Sequence, residues 1–287
     1  MNLDREILLI KKNFKKHSSK SIFYKKLDLR IKKKISLYYK NFKTRSYLSL
    51  GPIGKIKFPF FKMGNINSTH LFGLDELIIF CFYNINKSKY KNVLDLGANI
   101  GVHSLIMVKN GMKVTCYEPD LIHVEQLIKN LKINKSYKNI IIRKKAVSNK
   151  KGKEKFLRIL GNTTGNHILG SKKKVYGDVE TKIVNCDSFK SIMKNKRLIK
   201  IDVEGAEAKL ISSTKYKDWE NTDAILEIGS FENAKKIFKH CKKNNIQIFS
   251  QKKNWNKVKY VSDLPKSYKE GSAFLTCNDK MNWGQHD

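Results

Sequence analysis

Residues 93–101 read VLDLGANIG, in which a short apolar run leads into a turn that carries two glycines four positions apart. The run VLDL has the length and bulk of a strand that is buried on both faces of a parallel sheet. The next segment, NIGVHSLIMVKN, predicts a helix that ends at Gly111. A strand, a glycine-rich turn and a helix form the first half of a unit that binds nucleotide-like ligands, because glycines let the backbone approach the ligand and the helix N-terminus faces it.

The rest of the chain repeats this alternation of apolar runs and helical stripes. Further strands are predicted at 113–119, 139–147, 197–204, 223–229, 246–251 and 273–278. A stretch from 148 to about 196 interrupts the pattern and is expected to be irregular, with two β-like pieces, KEKFLRIL and DVETKIVN. Repeated strand–helix alternation predicts an α/β fold with a mostly parallel sheet and helices on both faces. Ligands in such sheets bind beyond the carboxyl ends of the strands.

Composition narrows the class of protein. The chain of 287 residues can bury a full core, and its longest apolar run, LIIFCFY at 77–83, is far too short to cross a membrane. The five cysteines include no close pair, which suits a reducing cytoplasm better than a disulfide framework or a zinc ribbon. The seven histidines do not cluster at metal-ligand spacing either, so we expect a cytoplasmic protein without a bound metal.

The net charge of +34 invites a nucleic-acid interpretation. Of the 59 basic residues only six are arginine, the residue best suited to bidentate contacts with phosphates and bases. Asparagine and isoleucine are also abundant, which together with lysine is typical of an AT-rich coding sequence. Much of the charge is therefore expected to be compositional drift on a solvated surface, and nucleic acid is the less favoured partner.

The charge is concentrated at the start of the chain, where residues 1–50 contain 15 Lys or Arg and three Asp or Glu. An apolar stripe at helical spacing runs through this segment: Phe23, Leu27, Ile31, Ile35, Tyr38 and Phe42. We expect 1–50 to be a basic amphipathic helical extension and 51–287 to be the main domain. The stripe either docks on that domain or, in the sharper interpretation, touches an anionic membrane or polyanionic glycan through residues 1–45.

The turn itself discriminates between nucleotide-like ligands. A dinucleotide fingerprint requires G-x-G-x-x-G, whereas Gly97 and Gly101 form G-x-x-x-G, with Asn99 between them. Asp95, just before the turn, would repel a pyrophosphate but suits a ligand that carries an ammonium and a sulfonium, as S-adenosylmethionine does. A phosphate-binding P-loop is excluded because no G-K-S/T follows.

Two acidic positions extend this interpretation. Glu118 lies 23 residues after Asp95 at the end of the second predicted strand, where a carboxylate commonly accepts hydrogen bonds from ribose hydroxyls. In LIKIDVEGAEAKLI (198–211), Asp202 stands at a strand end and is expected next to the first motif, so it is the better candidate for a methyl-transfer site. Glu207 fits the first turn of the following helix as a structural charge.

Taken together, VLDLGANIGVHSL, YEP and IKIDVEGAE resemble the FkbM family of S-adenosylmethionine-dependent methyltransferases, with a motif core at about 68–230. The resemblance implies a Rossmann-like class I methyltransferase sheet of seven strands whose last strand inserts antiparallel. It also implies O-methylation of sugar hydroxyls in surface glycans or glycosylated products. By this likeness four residues of the first motif would line the methionine half of the cofactor, Glu118 would hold the ribose, and Ala146–Ser148 would lie beside the adenine. The four are Asp95, Gly97, Asn99 and Gly101.

Transfer to a hydroxyl also requires a base that takes its proton. Asp202 and Glu204 are the first candidates, and His167 is another because its Gly/Asn/Thr-rich loop could cover the strand ends. The expected acceptor is a sugar of a glycan or its precursor, with an anionic, lipid-linked or nucleotide-linked sugar suited to the basic surface. Two alternatives stay open, an RNA methyltransferase and a non-catalytic glycan- or membrane-associated protein on the same fold.

Overall fold

The fold is described from a computed structural model, which describes residues 1–43, 46–171 and 178–283. The α-helices, in chain order, are α1 (Asp4–Lys12), α2 (Ile22–Lys40), α3 (Leu74–Ile85), α4 (Val102–Lys109), α5 (Leu121–Ile133), α6 (Phe189–Ile192), α7 (Glu207–Ile211) and α8 (Phe231–Lys243). The strands are β1 (Leu48–Ser49), β2 (Lys55–Ile56), β3 (Lys62–Met63), β4 (Ile66–Asn67), β5 (Asn92–Leu96), β6 (Lys113–Tyr117), β7 (Ile140–Arg143), β8 (Ala146–Ser148), β9 (Gly152–Ile159), β10 (His167–Ile168), β11 (Val179–Ser188), β12 (Leu198–Ile201), β13 (Asp223–Glu227), β14 (Gln247–Ser250), β15 (Asn256–Lys257) and β16 (Ser272–Thr276).

A large mixed sheet organises the molecule, with the strand order β15-β14-β16-β13-β12-β5-β6-β7. Strands β7, β6, β5, β12 and β13 are parallel neighbours, and β16 lies antiparallel between β13 and β14, which confirms the predicted insertion of the last strand. The described sheet has eight strands rather than the seven expected, because the chain after β14 folds back and adds the short edge strand β15.

The central strand β5 is buried on both faces, as its sequence predicts. Val93 packs into one apolar cluster, with side chains of α1 to α5, while Leu94 packs into a second cluster with side chains of α6 to α8. Successive strand residues point to opposite faces, so the two clusters lie on the two sides of the sheet. The prediction of helices on both faces is therefore confirmed.

The stretch expected to be irregular forms a second sheet, with the order β10-β9-β11-β8. Its largest element is the pairing of β9 with β11, antiparallel over eight residue pairs. The strand predicted at 139–147 is wrong as one unit, because its first half, β7, joins the large sheet while its second half, β8, pairs with β11. The chain crosses between the two sheets at Lys144 and Lys145, and Lys145 binds Asp187 of β11 at 2.9 Å.

The N-terminal segment forms two helices that pack on the rest of the chain. The apolar stripe of α2 is buried through Leu27, Ile31, Ile35 and Tyr38, and Tyr24 is buried with them. These side chains belong to the same cluster as α3 and Val93. Glu6 of α1 is 1% exposed and joins α1 to α2 through ion pairs with Arg30 and Lys34, each at 3.0 Å. A single apolar core therefore extends across the domain boundary that the sequence predicts at residue 50. The apolar stripe of α2 lies inside this core.

Among the described residues, no helix has the length and hydropathy needed to span a bilayer.

Candidate active site

The turn after β5 brings the predicted motif against the neighbouring strand. Gly97, Asn99 and Gly101 adopt left-handed backbone conformations, with φ of 76°, 51° and 86°. A side-chain carbon built on Gly97 would lie 1.8 Å from the carbonyl oxygen of Asp202, and one on Gly101 would lie 2.6 Å from Leu127. Each glycine therefore has a packing requirement as well as the cofactor role expected from the sequence, since only glycine combines this conformation with so close a contact.

Asp95 lies beneath this turn and is fully buried. One carboxylate oxygen accepts a hydrogen bond from the Ser104 hydroxyl at 2.6 Å, and Oδ1 lies 3.8 Å from Lys200 Nζ. Register explains this pair, because Asp95 and Lys200 are directly opposite each other in the parallel strands β5 and β12. Asp95 Oδ1 makes no hydrogen bond to any residue of the described ranges.

Glu118, just after β6, holds the turn from the other side. Its carboxylate accepts hydrogen bonds from the backbone amides of Asn99 and Asp120, each at 2.8 Å. Burial raises the pKa of Glu118 to about 7, although these two amide bonds favour the ionised form. Ser148, the remaining predicted cofactor residue, is buried in β8 and its hydroxyl donates to Glu154 at 3.0 Å.

A cavity of about 460 Å³ opens at the carboxyl ends of the central strands. Three strands of the large sheet, β12, β13 and β16, and three helices, α2, α3 and α4, contribute to it. Its ionisable lining residues are Asp28, Lys32, His70, Asp75, Glu76, His103, Lys200, Asp202, Glu227, Tyr24, Tyr268 and Lys269. Carboxylates outnumber lysines in this lining, so the cavity is acidic although the protein as a whole is strongly basic.

Asp202 and Glu227 stand side by side at the mouths of β12 and β13. The register pairs Ile201 with Leu226, so the next residue of each chain segment lies at the edge of the sheet. Asp202 is half-buried and Oδ2 lies 3.1 Å from Lys200 Nζ. Glu227 is also half-buried, and burial followed by the charges of Asp202 and Glu76 raises its pKa well above the usual range.

Lys200 provides the positive charge at the centre of this group. Its ammonium lies 3.1 Å from Asp202, 3.8 Å from Asp95 and 3.4 Å from the carbonyl oxygen of Gly97. Burial works against the charged ammonium, but the two carboxylates raise its pKa nonetheless. The arrangement shows that these three acceptors stabilise a cation at the junction of β5 and β12.

A row of three hydrogen-bonded side chains from α3 and α4 also reaches the cavity. Tyr83 of α3 lies 3.0 Å from His103 Nδ1, and His103 Nε2 lies 2.7 Å from the Glu76 carboxylate. Both ring nitrogens of His103 are thereby engaged, so this histidine orients Glu76 toward the cavity. No sequence motif joins Glu76 to His103, because they belong to different helices.

Helix α2 closes one side of the cavity through Tyr24, Asp28 and Lys32. Tyr24 forms a hydrogen bond with Asp75, and Asp75 also accepts one from Gln251, which donates to the carbonyl oxygen of His17 as well. Burial raises the pKa of Asp75 to about 6. The N-terminal segment is therefore part of the cavity wall, a role that its apolar stripe did not indicate.

The other predicted catalytic residues lie apart from this lining. Glu204 adopts a left-handed conformation with φ of 54° in the loop after β12, and it is absent from the described lining. His167 is buried in β10, with Nδ1 2.8 Å from the carbonyl oxygen of Gly165, and is likewise absent from it. Glu207 accepts hydrogen bonds from the amides of Val203 and Gly205, which confirms its structural role at the start of α7.

Comparison with known proteins agrees with the motif. A family model described as the methyltransferase FkbM domain matches residues 95–255. No curated protein matches the chain. Among solved structures, an FkbM methyltransferase from Methylobacillus flagellatus KT is 13% identical with a TM-score of 0.41, and the alignment covers 65% of this chain and 43% of that one.

Two further structures show weaker likeness. The StiE O-MT (residues 942–1257) is 14% identical with a TM-score of 0.37 and coverage of 62% of this chain and 54% of that one. The putative RNA methyltransferase PH1948 from Pyrococcus horikoshii is 12% identical with a TM-score of 0.37 and coverage of 86% and 96%. The family match spans more than half of the chain and includes the end of β5, the glycine turn, β12 and β13. The chain thus belongs to the FkbM methyltransferase family.

Proposed function

We propose that this protein is an S-adenosylmethionine-dependent O-methyltransferase that methylates a hydroxyl group of a sugar. The observation that carries the proposal is the convergence of Asp202, Glu227 and Glu76 on one cavity beside the family's glycine turn. Carboxylates at this place can take the proton of an acceptor hydroxyl. Carboxyl groups also outnumber lysines in the lining, which argues against a phosphate group inside the cavity.

The residues present fit the cofactor. Its ammonium and sulfonium are cationic, and the buried carboxylate of Asp95 and the carbonyl oxygen of Gly97 lie at the turn. Asp95 Oδ1 offers a further acceptor that lacks a hydrogen bond within the described ranges. Glu118 would accept the ribose hydroxyls through the lone pairs that its two amide bonds leave free. Asn99, Gly101 and Ser148 stay predictions for cofactor binding, and neither they nor Glu118 are among the residues that line the described cavity. When bound, the cofactor supplies an activated methyl group on sulfur.

The chain's own contribution is to hold the acceptor hydroxyl and accept its proton. Asp202 and Glu227 are the candidate bases because both reach the cavity from adjacent strand ends. The raised pKa of Glu227 makes it the stronger base once it is ionised, and a nearby positive charge would favour that form. Glu76, held by His103, supplies another acceptor for sugar hydroxyls.

Sugar hydroxyls fit this lining because they donate hydrogen bonds to carboxylates without bringing charge. A nucleotide-linked or otherwise anionic sugar stays compatible only if its anionic part remains outside the cavity, on the basic surface. An RNA methyltransferase is the alternative, and no contact in the cavity favours it.

The test combines calorimetry with methyl transfer. Wild type, Asp202→Asn and Glu227→Gln would be titrated with S-adenosylmethionine and then assayed with labelled cofactor on neutral glycosides, nucleotide sugars and RNA. We expect both variants to bind the cofactor nearly as wild type does while at least one loses about 10²–10⁴-fold in turnover on the sugar. Glu125→Gln, an exposed carboxylate on α5, is the matched control and should behave as wild type.

Three outcomes would contradict the proposal. Folded wild type that fails to bind the cofactor would remove the methyltransferase assignment. Methylation of RNA in preference to every sugar would replace the acceptor class. Full turnover in both variants would show that neither carboxylate takes the proton.

A further inference from the structure

Helix α2 carries a second apolar row, opposite to the buried one. Ile22, Leu29 and Leu37 are 73%, 70% and 50% exposed, and they point away from the core. Ile22 and Leu29 are seven residues apart, which places them on one line along the helix surface. Three exposed aliphatic side chains in one row are more informative than isolated ones, because together they form an apolar strip on the surface.

Lysines stand between and beside these aliphatic side chains. Lys26, Lys33 and Lys40 are exposed on the same side of α2, and Lys25 flanks the row. None of these four ammonium groups is paired with a carboxylate among the residues that the structure describes. The other basic side chains of the helix differ, because Arg30 and Lys34 bind Glu6 and Lys32 binds Asp28.

The outward row cannot be covered by a rotation of the helix. Leu27, Ile31 and Ile35 on the inner face are at most 3% exposed and fix the helix to the core. The ion pairs of Glu6 fix it to α1 as well. The row is therefore a permanent feature of the folded surface.

We propose that the outward face of α2, defined by Ile22, Lys26, Leu29, Lys33 and Leu37, docks on a membrane surface that contains anionic lipid. The three aliphatic side chains would enter the boundary between the lipid headgroups and the acyl chains, while the lysine ammonium groups remain beside the lipid phosphates. A nucleic acid would use the lysines but has no use for the aliphatic row. The three aliphatic side chains make the binding reversible and dependent on the lipid charge.

The position of the cavity gives this docking a consequence. Asp28 and Lys32 on the flank of the same helix line the cavity, so docking would bring its rim close to the headgroups. This consequence rests on the proposed function, since it would favour acceptors whose sugar is attached to a lipid. The docking itself requires neither cofactor nor acceptor.

The experiment is co-sedimentation of the full chain with sucrose-loaded vesicles of phosphatidylcholine, with and without phosphatidylglycerol. We expect binding only with the anionic lipid. Ile22→Ser/Leu29→Ser should lower the partition coefficient about tenfold or more through lost apolar contact. Lys26→Gln/Lys33→Gln should lower it roughly thirtyfold, since each lysine near such a surface contributes on the order of 1 kcal/mol.

Matched controls come from other surfaces of the chain. Ile183→Ser replaces a 61% exposed isoleucine of β11, and Lys235→Gln/Lys239→Gln replaces two exposed lysines of α8. Both controls should partition as wild type, and circular dichroism would show that every variant is folded. The proposal is overturned if wild type ignores anionic vesicles, or if the α2 variants bind as the controls do. Binding to single-stranded RNA that depends on the lysines but not on Leu29, without vesicle binding, would assign the face to nucleic acid.

Discussion

At the scale of single residues, Gly97 lets the glycine turn after β5 pack against Asp202, the candidate base. The carbonyl oxygen of Asp202 occupies the space that a side chain at Gly97 would need. The amides of Gly97 and Ala98 both donate to the carbonyl oxygen of Tyr117 at 3.0 Å, so the turn is tied to β6 as well. The glycine thus permits three strand ends to meet, and the side chain of Asp202 is aimed at the cavity as a result.

Glu118 gives the clearest dependence on pH. Because the folded-state pKa of about 7 exceeds the ordinary value of 4.5, the buried carboxyl favours folding most below pH 4.5 and loses that contribution as the pH rises through 7. If Glu118 holds the ribose as proposed, cofactor binding should show the opposite trend, because hydroxyls donate to the ionised carboxylate. We expect affinity for S-adenosylmethionine to fall by up to about tenfold per pH unit below 7.

Calorimetric titration between pH 5.5 and 8.5 measures this dependence. Glu118→Gln should bind more weakly at pH 8 and lose the slope, while Glu125→Gln should keep both the affinity and the slope. The thermal melting of wild type should meanwhile rise as the pH falls from 8 to 5 relative to Glu118→Gln. An affinity of wild type that is constant from pH 5.5 to 8.5 would show that Glu118 does not hold the ribose.

The residues of the cavity differ in how far the sequence could reveal them. Asp202 was predicted because it follows an apolar strand and precedes a glycine in a motif. Glu227 has the same place relative to β13, but a single glutamate in DAILEIG looks like an ordinary strand residue until the register places it beside Asp202. His103 and Glu76 could not be joined because their contact depends on how α3 packs against α4.

At the scale of elements, the spacing of apolar residues predicts those helices and strands whose formation depends on the local sequence. The helix α4 and the strands β5, β6 and β13 appear where their patterns placed them, because each buries regularly spaced apolar side chains. The two predicted β-like pieces are confirmed as β9 and β11, but their pairing into a second sheet is not predicted, because both strands are rich in charged residues and are stabilised by each other. The stripe of α2 predicted a helix correctly but did not say what it packs against.

Helix α2 has one face that packs into the core and a flank that lines the cavity. The contribution of this flank can be tested separately. Tyr24, Asp28 and Lys32 are each four residues apart and therefore share the side that lines the cavity. If Asp28 accepts a hydrogen bond from the acceptor, Asp28→Asn should raise the acceptor KM about tenfold and leave cofactor affinity unchanged. Steady-state kinetics on the best sugar acceptor gives both constants.

Asp279→Asn is the matched control for that change, since its carboxylate is 90% exposed and lies outside the described lining. It should alter neither constant. Equal KM values for wild type and Asp28→Asn would limit α2 to a packing role at the cavity wall.

At the scale of the whole molecule, the shared core decides whether the N-terminal segment is a separate domain. Ile31 of α2 is fully buried in the cluster that also contains Val93 of the central strand and Phe274 of β16. Trp255 and Trp283 belong to this cluster, and Trp219 belongs to the cluster on the other face of the sheet. The two faces share the strands between them, so we infer that the segment and the sheet unfold together.

Ile31→Ala tests this inference, because it opens a cavity on the N-terminal side of the core only. We expect the free energy of unfolding in urea to fall by about 2–5 kcal/mol, with tryptophan fluorescence and far-ultraviolet circular dichroism reporting one common transition. Leu29→Ala, at a 70% exposed position of the same helix, should change it by no more than about 0.5 kcal/mol. Two separate transitions, of which Ile31→Ala shifts only the first, would instead make the segment an independent unit docked on a complete catalytic domain.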